Sequence, residues 1–82
     1  MNTEKKKTLV QAFGRTIEEI RLSKNISQAE LAERSDLHRT YISDLERGLK
    51  QPSLSTLVRL AKAFEIQTSD LIRLFEKKIE IN

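Results

Sequence analysis

Residues 27–53 read SQAELAERSDLHRTYISDLERGLKQPS, a sequence that predicts two short helices joined by a tight turn. Ser27 begins an S-x-x-E pattern, the capping box, which predicts a helix over residues 28–35. Asp36 follows where the chain must turn, and aspartate tolerates the left-handed backbone conformation better than most non-glycine residues. Leu37 is an apolar residue inside this turn, and we therefore expect it to be buried.

The second helix of the pair, predicted from about His38 to Glu46 and ended by Gly48, has two different faces. The apolar face carries Tyr41, Ile42 and Leu45, and the polar face carries Arg39, Thr40, Ser43, Asp44 and Arg47. Arginine can pair bidentately with O6 and N7 of guanine, and hydroxyl groups can bond to bases or phosphates. An ordinary solvated helix face has the same composition. The order of capped helix, tight turn and short helix favours a DNA-binding helix-turn-helix instead.

Apolar spacing predicts three further helices, which gives an all-α chain of five helices. The first has the apolar positions Leu9, Phe13, Ile17 and Ile20. The fourth, capped by Ser53, has the predicted core positions Leu54, Leu57, Leu60, Ala61 and Phe64. The fifth begins near Thr68 and carries Leu71, Ile72, Leu74, Phe75 and Ile79. We expect a flexible basic tail over residues 1–8 and a single helix-turn-helix domain over residues 9–82.

Composition narrows the class of protein further. The chain has 82 residues, enough for one small domain, and its two glycines and one proline are too few for the turns of an all-β fold. Without cysteine and with one histidine, it cannot form disulfides or a structural zinc site. We expect no metal, no cofactor, no small-molecule ligand, no membrane span and no catalysis, and we expect a cytoplasmic location because we find no secretion signal. A net charge of +3 permits an anionic partner without identifying it.

Many residues between Phe13 and Leu71 resemble, at fixed spacing, the phage-repressor/Cro family of helix-turn-helix proteins. The similarity is carried by SQAELA, Leu37, YIS, LERG and PSL, and the run HRTYIS resembles the small controller proteins of restriction–modification systems. The resemblance implies a five-helix, lambda-repressor-like bundle whose third helix enters the major groove of double-stranded DNA.

The resemblance also implies roles for individual residues. It assigns base contacts to Arg39, Thr40, Ser43 and Asp44, and phosphate contacts to Gln28, Tyr41 and Arg47. Asp44 could accept a hydrogen bond from cytosine N4, or it could hold Arg39 or Arg47 in place. Gln28 would also brace the recognition helix.

The sequence departs from the family pattern at two positions, and the resemblance also pairs two charged residues. His38 replaces the usual Ser, Asp or Asn cap of the third helix, and Asp36 replaces the commoner Gly in the turn. Arg21 and Glu46 would be unrelated surface charges by spacing alone. The resemblance implies that they form a partly buried ion pair between the first and third helices.

Apolar residues on the fifth helix predict a homodimer. Ile72 and Ile79 lie partly outside its core stripe, and the predicted interface comprises Leu71, Ile72, Phe75 and Ile79. The resulting hypothesis is a transcriptional regulator that binds a pseudo-palindromic operator as a homodimer. The resemblance to controller proteins implies that this operator belongs to a restriction–modification operon. The alternatives are an antitoxin that covers a partner protein and autoregulates its operon, and a membrane-surface role for Lys5, Lys6 and Lys7.

Overall fold

The computed structural model describes residues 2–79, which form five helices and no strand. The helices are α1 (Thr3–Ser23), α2 (Gln28–Ser35), α3 (Arg39–Glu46), α4 (Leu54–Ala63) and α5 (Thr68–Ile79). The predicted all-α, five-helix fold is confirmed. In this part of the chain, no helix combines the length and the apolar character that crossing a bilayer requires.

Side-chain caps fix the starts of three helices. The side chains of Asn2, Ser27 and Ser53 each accept a hydrogen bond from the backbone N–H three residues later, at 2.9, 3.0 and 3.1 Å. His38 precedes α3 but makes no such bond, as expected from its departure from the usual cap residues. The start of α3 must therefore depend more on packing against other helices than the capped starts of α1, α2 and α4 do.

The first four helices all end in the same way. Each is followed by a residue in the left-handed conformation: Asn25, Asp36, Gly48 and Glu65, with φ between 56° and 73°. In each case the next N–H bonds to the carbonyl five residues back, as Leu37 does to Ala32 at 3.0 Å. These are Schellman motifs, which satisfy carbonyls at the helix end that would otherwise lack a partner.

One apolar core joins all five helices. Its fully or nearly fully buried members include Phe13, Ile17, Leu31, Ile42, Leu45, Leu60, Phe64 and Leu71. Phe75 of α5 packs edge-on against Phe13 of α1, with ring centroids 5.9 Å apart. Leu37, in the α2–α3 turn, packs against the same core as expected, but it is half-buried rather than fully buried.

The structure corrects the predicted start of α1. The helix begins at Thr3 rather than at Leu9, because Asn2 caps it and Glu4 suits the positive end of the helix dipole. The regularly spaced apolar residues begin only where α1 packs against the rest of the protein, so their spacing could not reveal the earlier turns of the helix. The mobility of residues 1–8 stays a prediction. Met1 and residues 80–82, the end of the predicted domain, lie outside the described residues.

Three leucines also differ from their predicted places. Leu54, placed in the core of α4, is 81% exposed, because as the first residue of the helix it lies at the open end of the packed stripe. Leu74, placed in the core of α5, is 40% exposed, since the buried stripe is centred on Leu71 and Phe75. Leu71 was assigned to the dimer interface, but it is fully buried inside the single chain and cannot supply interface surface.

Candidate nucleic-acid interface

The inner side of α3 is fixed by close packing against α1. Ile42 and Leu45 are completely buried, and Gly14 of α1 lies directly against the C-terminal end of α3. A Cβ atom on Gly14 would overlap the carbonyl oxygen of Leu45 and lie 2.8 Å from that of Glu46. This contact was not predicted from the sequence, although a glycine inside an otherwise helical stretch is a signal of close packing.

A buried ion pair ties the end of α3 to α1. Arg21 donates from Nε to Glu46 Oε2 at 2.7 Å and from Nη2 to Oε1 at 3.0 Å, a bidentate arrangement. Its Nη1 also donates to the carbonyl oxygen of Ile26 at 3.0 Å, just before α2. The structure thus brings together the two residues that the family resemblance paired.

Gln28 extends this network to the first residue of α2. Its Nε2 donates to Glu46 Oε1 at 2.9 Å, so that this oxygen accepts hydrogen bonds from both Arg21 and Gln28. The hydrogen bond to Glu46 raises the pKa of Arg21, and burial acts in the opposite direction. Because the Arg21 and Glu46 side chains are only 11% and 2% exposed, water competes little for these bonds. The start of α2 and the end of α3 therefore have a fixed separation.

The turn between α2 and α3 is held from α4. Arg59 donates from Nη1 to the carbonyl oxygen of Asp36 at 3.2 Å. Asp36 itself has φ 57° and ψ 41°, the left-handed conformation predicted for this position. The two helices of the motif are thus fixed at the turn as well as at the Arg21–Glu46 pair.

The outer side of α3 presents the polar row predicted from the sequence. Arg39, Thr40 and Arg47 are exposed, and Ser43 and Asp44 are half-buried. Over residues 2–79, no ion pair joins Asp44 to either arginine. The row therefore offers two guanidinium groups, two hydroxyls and a carboxylate on one surface of a rigid helix.

Tyr41 and Lys50 lie beside this row. The ring of Tyr41 packs partly against the core, and its hydroxyl lies 3.2 Å from the hydroxyl of Thr56 in α4. Lys50 is exposed in the connection between α3 and α4 and was not singled out from the sequence. A basic residue within four positions of the end of a predicted recognition helix is the signal that could have identified it.

Comparison with known proteins matches residues 17–71 to the family described as helix-turn-helix. The chain belongs to this family. The matched residues of this helix-turn-helix protein contain the Arg21–Glu46 pair, the α2–α3 turn and the polar row of α3.

Three similar proteins refine this placement. The control protein C.BamHI of Bacillus amyloliquefaciens is 51% identical over 61 residues, which are 73% of this chain and 75% of that protein. The immunity repressor of Bacillus phage phi105 is 42% identical over 72% of this helix-turn-helix chain, which spans only 41% of the repressor. The C.Esp1396I controller tetramer, solved with its natural 35-base-pair operator, is 32% identical, with a TM-score of 0.82 over 89% of this chain and 96% of that one. The resemblance to phage repressors and restriction–modification controllers is confirmed.

Proposed function

We propose that the chain is a sequence-specific regulator of transcription that inserts α3 into the major groove of double-stranded DNA. The observation that carries this proposal is the exposed polar row on a helix whose inner side is fixed. A recognition helix must present its side chains without large ordering costs, and the Arg21–Glu46–Gln28 network supplies that rigidity. The similarity to C.Esp1396I, which was solved in complex with its natural operator, supports DNA binding by this chain.

Arg39 is the residue that we propose contributes most to sequence discrimination. It is the first residue of α3, and the N-terminal part of a recognition helix contacts the base edges. Its planar guanidinium can pair with both acceptors of one guanine, which a lysine cannot do with the same geometry. Thr40, Ser43 and Asp44 are the further proposed base contacts.

Gln28, Tyr41 and Arg47 are the proposed phosphate contacts. Arg47 lies at the opposite end of α3 from Arg39, where phosphates are nearer than base edges. Gln28 already bonds to Glu46 and Tyr41 already lies near Thr56, so both would reach phosphate from fixed positions. Such contacts set the register of the protein on the duplex but carry no sequence information directly.

We propose that the protein binds its operator as a homodimer through α5. Ile72, Phe75 and Ile79 are half-buried in the single chain, so each retains apolar surface that a second copy could cover. Ile72 and Phe75 also line an apolar groove of about 300 Å³ with Leu9, Phe13 and Leu57. Two copies related by a two-fold axis would read two inverted half-sites.

Control of a restriction–modification operon is the regulatory role that we propose. The similarity to C.BamHI, which the chain covers over 75% of its length, supports it. The proposal assigns the protein to the cytoplasm and gives it no catalytic step and no cofactor.

Selection of bound sites from randomised duplex DNA tests this function. We expect enrichment of two inverted half-sites with centres about 10–10.5 bp apart, or a multiple of one helical turn. We also expect affinity to fall steeply with salt, because protein–phosphate contacts release counterions. Failure to enrich any sequence, or equally tight binding to single strands, would overturn the proposal.

A further inference from the structure

Three consecutive lysines occupy the first two turns of α1. Lys5, Lys6 and Lys7 are all exposed, and Glu4 is the single acidic residue between positions 2 and 8. Because α1 begins at Thr3 and is capped by Asn2, the backbone of these lysines is helical. Each lysine therefore points in a defined direction from the helix.

The start of α1 lies beside the connection that follows α3. Gln11 packs so closely on Gly48 that a Cβ atom there would lie 2.8 Å from Gln11 Cγ and 3.1 Å from its Cα. Lys7 is one helical turn before Gln11 and so continues along the same face. A groove at this junction is lined by Lys6, Lys7 and Val10 from α1 and by Gly48, Leu49 and Gln51 from the connection.

We propose that Lys7, together with Lys6, binds DNA phosphates that flank the half-site contacted by α3. This inference rests on the proposed function, in which the C-terminal end of α3 approaches the phosphate backbone. Arg47 and Lys50 lie at that end, and residues 47–53 contain no acidic side chain. The two lysines extend this basic edge away from the base-reading row and along the flanking DNA.

The charges at this junction favour an anionic partner over a simple solvated surface. No ion pair over residues 2–79 involves Lys6, Lys7, Arg47 or Lys50. Helix α1 thus brings Lys6 and Lys7 to the groove beside Gly48, and Arg47 and Lys50 lie within two residues of Gly48 in the chain. A polyanion with regularly spaced charges, such as a DNA strand, can neutralise several of them at once and release its counterions.

The helix supplies a matched control for the test. Lys5 has the same charge and exposure, but at 100° per residue its side chain is about 200° around α1 from that of Lys7. It does not line the groove beside Gly48. Glutamine and lysine have similar helix propensities, so neither Lys7→Gln nor Lys5→Gln should disturb α1.

The experiment compares the salt dependence of DNA binding for the wild type and the two variants. The probe is a duplex that carries the selected site and extends one helical turn beyond it on each side. Lys7→Gln is expected to lower the slope of log affinity against log salt by about 0.9 for each lost phosphate contact, or about 1.8 for a dimer. Lys5→Gln should keep the wild-type slope. On a duplex trimmed to the site itself, Lys7→Gln should match the wild type.

The outcomes separate this inference from the proposed function. If the wild type binds DNA in a salt-dependent way, two results would overturn the inference alone. One is a salt slope that Lys7→Gln leaves unchanged, and the other is a slope that Lys5→Gln lowers as much as Lys7→Gln does. A wild type that does not bind duplex DNA would overturn both. The protein is also tested for pelleting with phosphatidylserine vesicles. If the wild type pellets, Lys7→Gln does not, and the salt slope of DNA binding is unchanged, these lysines bind a membrane surface and the inference is refuted.

Discussion

Replacing Gly14 by alanine is expected to destabilise the fold, although alanine is the better helix former. In an unobstructed helix this change gains about 1 kcal/mol. Here the new Cβ would overlap the carbonyl oxygen of Leu45 and lie 2.8 Å from that of Glu46. These are backbone atoms, which cannot rotate away, so α1 and α3 would have to separate. With overpacking at the upper end of its usual range, about 3 kcal/mol, the net loss is about 2 kcal/mol.

Thermal unfolding followed by circular dichroism at a fixed protein concentration measures this loss. For a domain of this size, we expect the melting temperature to fall by about 8–16 °C. The control is the pair Arg15→Ala and Arg15→Gly, because Arg15 is the next residue of α1 and is exposed. The difference between these two variants gives the alanine-over-glycine gain in an open part of the helix. A Gly14→Ala protein stabilised by that same amount would refute the close approach of α1 to α3.

Five other substitutions test the DNA interface, the dimer and the helix ends. Arg39→Ala should reduce the free energy of binding to the selected site by about 1–3 kcal/mol and change binding to scrambled DNA little. Arg47→Ala should weaken binding to both duplexes and lower the slope of log affinity against log salt by about one. Equal losses on the two duplexes for Arg39→Ala would reject its base-reading role. Ile72→Asp should convert a dimer into a monomer in sedimentation at micromolar concentration, and an unchanged distribution would contradict the α5 interface. Glu65→Gly should raise the free energy of unfolding, measured in urea, by about 0.5–1 kcal/mol. The change removes a strained left-handed residue, and this gain exceeds the entropic cost of placing glycine in the chain. Asn25→Gly should gain less, since asparagine tolerates this conformation, and equal gains would argue against strain at Glu65.

The helices of the DNA-binding motif were predictable because their signals are local. Ser27 caps α2, Asp36 takes the left-handed conformation, and Gly48 ends the last turn of α3, as predicted. Each of these outcomes depends on a few neighbouring residues and on backbone chemistry. The two faces of α3 followed from helical periodicity alone, which is why the exposed row agrees with the prediction.

Features that depend on the meeting of distant segments were harder to predict. A glycine inside a helical stretch signals that another segment approaches closely, but nothing near Gly14 in the sequence specifies that this segment is the end of α3. The bond between Gln28 and Glu46 likewise joins two helices, and the brace that it provides to the recognition helix was predicted only through the family resemblance. Leu54 has the right spacing for the core, but its position at the helix start leaves it exposed. Arg21 and Glu46 were paired through resemblance, since spacing alone favoured two unrelated charges.

The four Schellman endings also have a kinetic consequence. Each stops a helix with bonds that reach back no more than five residues, so these contacts form without closing a long loop. Helical bundles dominated by local contacts fold within microseconds to milliseconds. We therefore expect the domain to fold almost as soon as all five helices have left the ribosome. The amount of active protein would then follow the rate of its synthesis, with no lag set by folding.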